Sequence, residues 1–181
     1  RWLESILETF ERESCHGVSG PAIIRPELRA NRDIFKYKLF KQWYDRIFLN
    51  GKEALPGHFT DWGAWTTGAC ESTCSYQGDV HFLEACNMSF LRDSFWKAGG
   101  FDESYKGVGD FSEPDLSFKI RELGYRLYFN PESKVYHNVS KSGAFGLRLQ
   151  DSQNRLHNYF RFANRWIRSS WKLEVYKLFL R

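Results

Sequence analysis

The sequence predicts an α/β domain, and three observations predict it. Stretches with helical periodicity alternate with short apolar runs, starting with residues 2–13 and then 17–24. The runs are punctuated by Gly, Pro or Asn, the residues that end strands and helices. Between Phe82 and His137, each polar block falls where a strand would end or a helix begin, which is where α/β proteins place their chemistry.

A chain of 181 residues is one domain by length, large enough for a proper core. With 27% charged residues it contains no run approaching the ~20 apolar residues of a membrane span. The net charge of +4 is unevenly placed: from Lys141 onward, basic residues outnumber Asp151 and Glu174 by more than that whole balance. The tail therefore faces water or something anionic. Four cysteines are few for a disulfide scaffold of this length, so unpaired thiols in a reducing compartment are expected. Cys70-x-x-x-Cys74 offers half a zinc site, with no second pair at a ligand spacing.

Trp2, Leu3, Ile6, Leu7 and Phe10 share a helical face with glutamates between them, and Gly17 closes that helix. Residues 17–24 read as one buried strand stopped by Pro26. Residues 36–48 fit an amphipathic helix ended by Asn50-Gly51. Its basic residues among aromatics admit a nucleic-acid reading, but a helix with a snorkelling basic rim explains them as well. Residues 51–78 have no period and carry Trp62 and Trp65, which predicts a long loop. A strand is predicted over 80–85, and a helix from Ser89 to a stop at Gly99-Gly100. Ser112-x-x-Asp115 reads as a capping box opening a helix that runs to Leu123. Two short strands, 125–129 and 133–137, flank Asn130-Pro131, and the chain from Leu147 on reads as helical. There Leu156, Tyr159, Phe160, Ala163 and Ile167 form one face, opposite arginines.

Glu113 and Asp115 are the candidate catalytic acids. Carboxylates in a first helical turn are also favoured by the macrodipole, by roughly 0.3–1 kcal/mol, without any function. Asp102, Glu103 and Asp110 in the preceding loop crowd five acids into one window, an arrangement that suits a cation or a basic substrate group. His137, at the end of an apolar strand, reads either as a satisfied side chain or as a ligand. Asn87-Met88-Ser89 and Asn138-Val139-Ser140 match the N-glycosylation pattern without secretory context and are taken as chance.

Taken in order, Cys86-Asn87-Met88-Ser89-Phe90, Gly99-Gly100-Phe101-Asp102-Glu103, Glu113-x-Asp115-Leu116, Gly124-Tyr125-Arg126-Leu127, Asn130-Pro131 and His137 resemble the acceptor half of family 2 glycosyltransferases. The resemblance spans residues 2–137 and implies a partial, Rossmann-like GT-A fold with a mixed sheet over 1–145, followed by amphipathic helices over 146–181. It implies inverting transfer of a sugar from a nucleotide-diphosphate donor to an acceptor hydroxyl. Glu113 falls at the second acid of the family's pair, the general base, with Ser112 where the first acid stands. A carboxylate within about 2.6–3.2 Å of the hydroxyl can take its proton. His137 falls at the family's C-terminal His, which reaches the divalent metal or the diphosphate. Asn87 lines the cleft, Gly100 and Asp102 form the acceptor wall, and Trp62 and Trp65 are the aromatic candidates for sugar binding.

The family's helix matching residues 2–13 follows an Asp-x-Asp motif that this sequence lacks, so the donor-binding half is expected upstream of Arg1. The complete enzyme would use Mg or Mn, and this chain alone would bind neither metal nor donor tightly. Expected partners are the nucleotide sugar, a glycan or lipid-linked acceptor and an anionic membrane surface, with nucleic acid set aside. The expected location is the cytoplasm, at the cytoplasmic face of a membrane. The competing readings are a catalytically silent carbohydrate-binding relative and a basic membrane or nucleic-acid interaction module.

Overall fold

The computed structural model describes residues 1–24, 38–66, 74–138 and 151–181. Their order is α1 (Trp2–Glu13), β1 (Gly17–Ser19), β2 (Ala22–Ile24), α2 (Lys38–Phe48), β3 (Gly78–Asp79), a 3-10 turn (Ala85–Asn87), β4 (Met88–Phe90), α3 (Arg92–Lys97), α4 (Ser112–Glu122), β5 (Leu127–Phe129), β6 (Val135–His137), α5 (Ser152–Trp166) and α6 (Trp171–Leu180). Two sheets result, a four-stranded one in the order β3-β5-β1-β4 and the pair β2-β6. β1 runs parallel to β5 and antiparallel to β4, so the sheet is mixed, as the fold class predicts.

Alternation along β5 builds two cores from three residues. Leu127 and Phe129 meet Leu116 and Ile120 of α4 together with Val80 and Leu83. Tyr128 faces the other way, onto Ile6 of α1 with Cys15 and Val18. The sheet thus lies between α1 and α4. A larger aromatic core joins Phe48, Phe59 and Phe111 to Tyr159 and Phe162 of α5 and Tyr176 of α6.

The expected strand over 17–24 is two strands. Gly20 breaks it: a Cβ there would lie 2.2 Å from the Ser133 carbonyl oxygen and 2.7 Å from that of Asn130. Pro21 beside it has no N–H for a ladder, and after this joint the chain pairs with β6 instead of β5. The expected strand over 80–85 is not formed. The strand is β4, within what read as a helix from Ser89, because Ser89 pairs in register with Val18. Helix α3 therefore starts at Arg92, and stops at Gly99 (φ 79°) and Gly100 (φ 65°) as expected. The capping box is also absent: α4 begins at Ser112, and its cap is Phe111 at φ 72°.

Residues 51–66 form an irregular, packed loop in which Phe59, Ala64 and Thr66 are buried. Helix α5 turns Tyr159 and Ala163 into the aromatic core, which accounts for the apolar face read over 156–167. The thiols of Cys15 and Cys74 are free. Cys70, Pro26 and the Val139-Ser140 end of the second glycosylation pattern lie outside the described residues. Among the described residues, no helix is long and apolar enough to cross a membrane.

Candidate functional site

Helix α4 packs on the sheet and leads through Gly124 straight into β5, so it runs antiparallel to that strand. Its N-terminus therefore stands at the C-terminal end of the parallel pair β1 and β5. That is the end at which open α/β sheets bind ligands.

Two acids occupy the first turn of α4 and are used differently. Asp115 is fully buried. Its Oδ1 accepts from the Trp166 indole N–H at 2.7 Å and from Arg165 at 3.4 Å. The Lys119 ammonium stands 2.9 Å from Oδ2 as an ion pair. This carboxylate clamps α5 to α4. Glu113, half-buried one residue before Pro114, accepts a 3.4 Å bond from the Ser112 hydroxyl. The two acids that spacing could not separate are thus separated by burial and partners.

The residue before this turn is strained. Phe111 occupies the left-handed region, which costs a non-glycine residue roughly 1–2 kcal/mol. Aromatic packing holds it: Trp65 stands edge-on at 5.1 Å and Tyr159 at 5.3 Å. Trp65 is thereby brought beside the start of α4. Trp62 is not; it packs edge-on against Phe48 and Trp171, each at 5.3 Å, under α6.

Asp102 binds within its own loop and to α5. It accepts from the Ser104 hydroxyl and backbone N–H and from Arg161 at 3.1 Å, with Arg165 at 3.8 Å. The Ser104 bonds, with Arg161 adding to them, hold its carboxyl well below the usual range. Asp110 pairs with Arg155 at 3.8 Å. The acid crowding therefore meets basic residues of α5, the compensation that the local sequence window could not display. Burial, with Asp115 nearby, pushes the Tyr105 phenol up. Gly100 is buried, and its carbonyl accepts from Lys119 at 3.3 Å, linking the α3 stop to the same network.

The second cluster surrounds the 3-10 turn. Asn87 is 2% exposed, and its amide is spent on structure. It accepts from the Trp2 indole at 2.9 Å and donates to the carbonyls of Ser133 and Pro21 at 2.5 and 3.4 Å. This ties α1 to the turns preceding β2 and β6. His137 lies opposite Ile24 on β6, with Nδ1 3.2 Å from the Cys86 sulfur. β2 and β6 continue β1 and β5 past their C-terminal ends, so this cluster belongs to the same end of the fold as Glu113.

Sequence reasoning missed Cys86 as the partner of His137, and Trp166, Arg165 and Lys119 as the partners of Asp115. Only Lys119, one helical turn after Asp115, had a local signal. Among the described residues, no group of three His, Cys, Asp or Glu side chains could hold a metal ion. No family model and no curated protein matches the sequence.

Proposed function

We propose that this chain is the acceptor-side half of an inverting, family 2 type glycosyltransferase with a GT-A fold, and that Glu113 is its general base. The observation that carries the choice of base is the division of labour in α4: Asp115 is locked in a buried ion pair while Glu113 stays half-buried in the first turn. A carboxylate in the first helical turn also interacts favourably with the helix macrodipole. In the proposed step, the Glu113 carboxylate takes the acceptor hydroxyl proton as that oxygen bonds to the anomeric carbon. The bond from that carbon to the diphosphate breaks, and its electron pair leaves with the diphosphate.

A divalent metal, Mg or Mn, would stabilise the leaving diphosphate when bound. The described residues do not make up its ligand set; His137 would contribute one imidazole. Trp65, beside Phe111, supplies an aromatic surface next to the base on which a sugar ring can stack. The silent, carbohydrate-binding reading is favoured by one observation, the serine at position 112, which puts a hydroxyl against Glu113 where the family has an acid.

The test is sugar transfer by the protein carrying its upstream residues, with a panel of nucleotide sugars, as wild type and as Glu113→Gln. Turnover that falls at least about 10²-fold in the variant, with donor affinity kept, is the expected result. Binding of glycans without turnover of any donor would favour the silent reading.

A further inference from the structure

The aromatic core leaves one apolar face open. Helices α2 and α6 pack through Phe40 on Phe179 (6.2 Å), Tyr44 on Phe179 (6.0 Å) and Phe48 on Tyr176 (5.0 Å). Phe40 meets Phe179 near the end of α6, whereas Phe48 reaches Tyr176 as well as Phe179 and, through Trp62, Trp171 at the start of α6, so the pair runs antiparallel. In an antiparallel pair of right-handed helices, the residues one before each contact position fall on the same side. On α2 these are Leu39, Trp43 and Ile47; on α6 they are Val175 and Leu178, with Trp171 a turn earlier. Ile47 packs on the aromatic core, and the others are open: Leu39 is 79% exposed, Trp43 71%, Trp171 67%, Leu178 64% and Val175 44%. Leu49, the residue after α2, is 4% exposed and packs in the aromatic core.

Five large apolar side chains are exposed on these two packed helices, more than soluble monomers usually leave open on one element pair. Its surroundings are cationic. Lys38–Phe48 and residues 168–181 together hold seven Lys or Arg against Asp45 and Glu174, an excess of +5 in a chain whose total is +4. Both acids already have local partners, since Lys41 binds Asp45 and Lys177 binds Glu174 at 2.7 Å; of the remaining cations, Lys172 is met by Asp61 at 3.5 Å. Tryptophan on an apolar face with a basic surround is the composition of an interfacial helix.

We infer that the face of Leu39, Trp43, Trp171, Val175 and Leu178 lies on an anionic lipid bilayer, with α2 and α6 side by side in the interface plane. The charge surplus selects this occupant, because an apolar protein partner needs no cationic surround while a bilayer bearing acidic headgroups attracts one. The inference is independent of the proposed catalytic role of Glu113. It also differs from a membrane role for α5, whose apolar face is already buried.

The test is cosedimentation of the 181-residue chain with phosphatidylcholine vesicles, with and without phosphatidylglycerol, for wild type, Trp43→Glu/Leu178→Glu and Trp96→Glu. The first variant changes exposed positions only, and Trp96 is a 65% exposed control on α3. Binding should require phosphatidylglycerol, weaken with added salt, fall about tenfold or more in the double variant and persist in Trp96→Glu. Absence of vesicle binding, indifference to lipid charge, or equal binding by the double variant would overturn the inference. So would a wild-type dimer in solution that the double variant abolishes while vesicles bind neither protein.

Discussion

Replacing Asp115 with asparagine probes the division of labour in α4 most directly. The side chain keeps its shape, and one oxygen can still accept from the Trp166 indole. What is lost is the charge facing Lys119 at 2.9 Å and Arg165 at 3.4 Å. The Lys119 side chain is 15% exposed and Arg165 45%, so the ammonium bears most of the cost while water can solvate the guanidinium. Removing one partner of a buried pair costs about 3–5 kcal/mol; the retained indole bond and the exposed arginine place this case near about 3 kcal/mol. For a chain of this size, that corresponds to a fall in Tm of about 6–12 °C. Thermal and urea unfolding of wild type, Asp115→Asn and Glu113→Gln measure it, with the last expected within about 0.5 kcal/mol of wild type. A change below about 1 kcal/mol in Asp115→Asn, or a larger one in Glu113→Gln, would refute the clamp and reopen the choice of base.

Three further outcomes are expected. In the protein with its upstream residues, Glu113→Gln should lower kcat at least about 10²-fold, while Asp115→Asn should retain most turnover at temperatures where it stays folded; steady-state kinetics decide. The His81 Nδ1 accepts the Phe59 backbone N–H at 3.1 Å, and burial, with His58, Arg121 and Lys52 nearby, lowers its pKa to about 4. The unfolded chain therefore binds a proton there that the folded protein refuses. Stability held above pH about 6.5 should be lost as pH falls toward about 4, by at most about 3 kcal/mol, and His81→Asn should flatten that slope in urea titrations. Gly20→Ala should cost about 3 kcal/mol or more, because its Cβ meets backbone oxygens that cannot swing aside, whereas Gly51→Ala, with open space around it, should cost about 1 kcal/mol from its positive φ.

Local chemistry made much of the frame legible. The spacing of Trp2, Ile6 and Phe10, the Gly99-Gly100 stop and the apolar runs ending at Phe129 and His137 all became elements close to their expected places. The errors arose where partners are remote. Ser89 reads as a helix start until Val18, some seventy residues earlier, claims it for a ladder. Ser112 reads as a cap until packing around Phe111 moves the cap by one residue. At the candidate site, Glu113 and Asp115 look alike in a sequence window, and of the partners that distinguish Asp115 only Lys119 is local; Trp166 and Arg165 sit on α5. The Cys86 and His137 pairing likewise spans a separation that no periodicity encodes.

The shared aromatic core has a consequence for how the molecule comes apart. Phe59 and Phe111 lie in one cluster with Tyr159, Phe162, Leu173 and Tyr176, so the sheet-bearing part and the terminal helices open as a single cooperative unit. A protease cut or truncation before α5 would not release a trimmed domain. It would strip Trp166 and Arg165 from Asp115, leave a buried carboxylate facing Lys119 alone, and uncover Phe59 and Phe111 to water. Protection against amide exchange in α4 should therefore rise and fall with that in α5, two helices thirty residues apart in the chain that behave as one foldon.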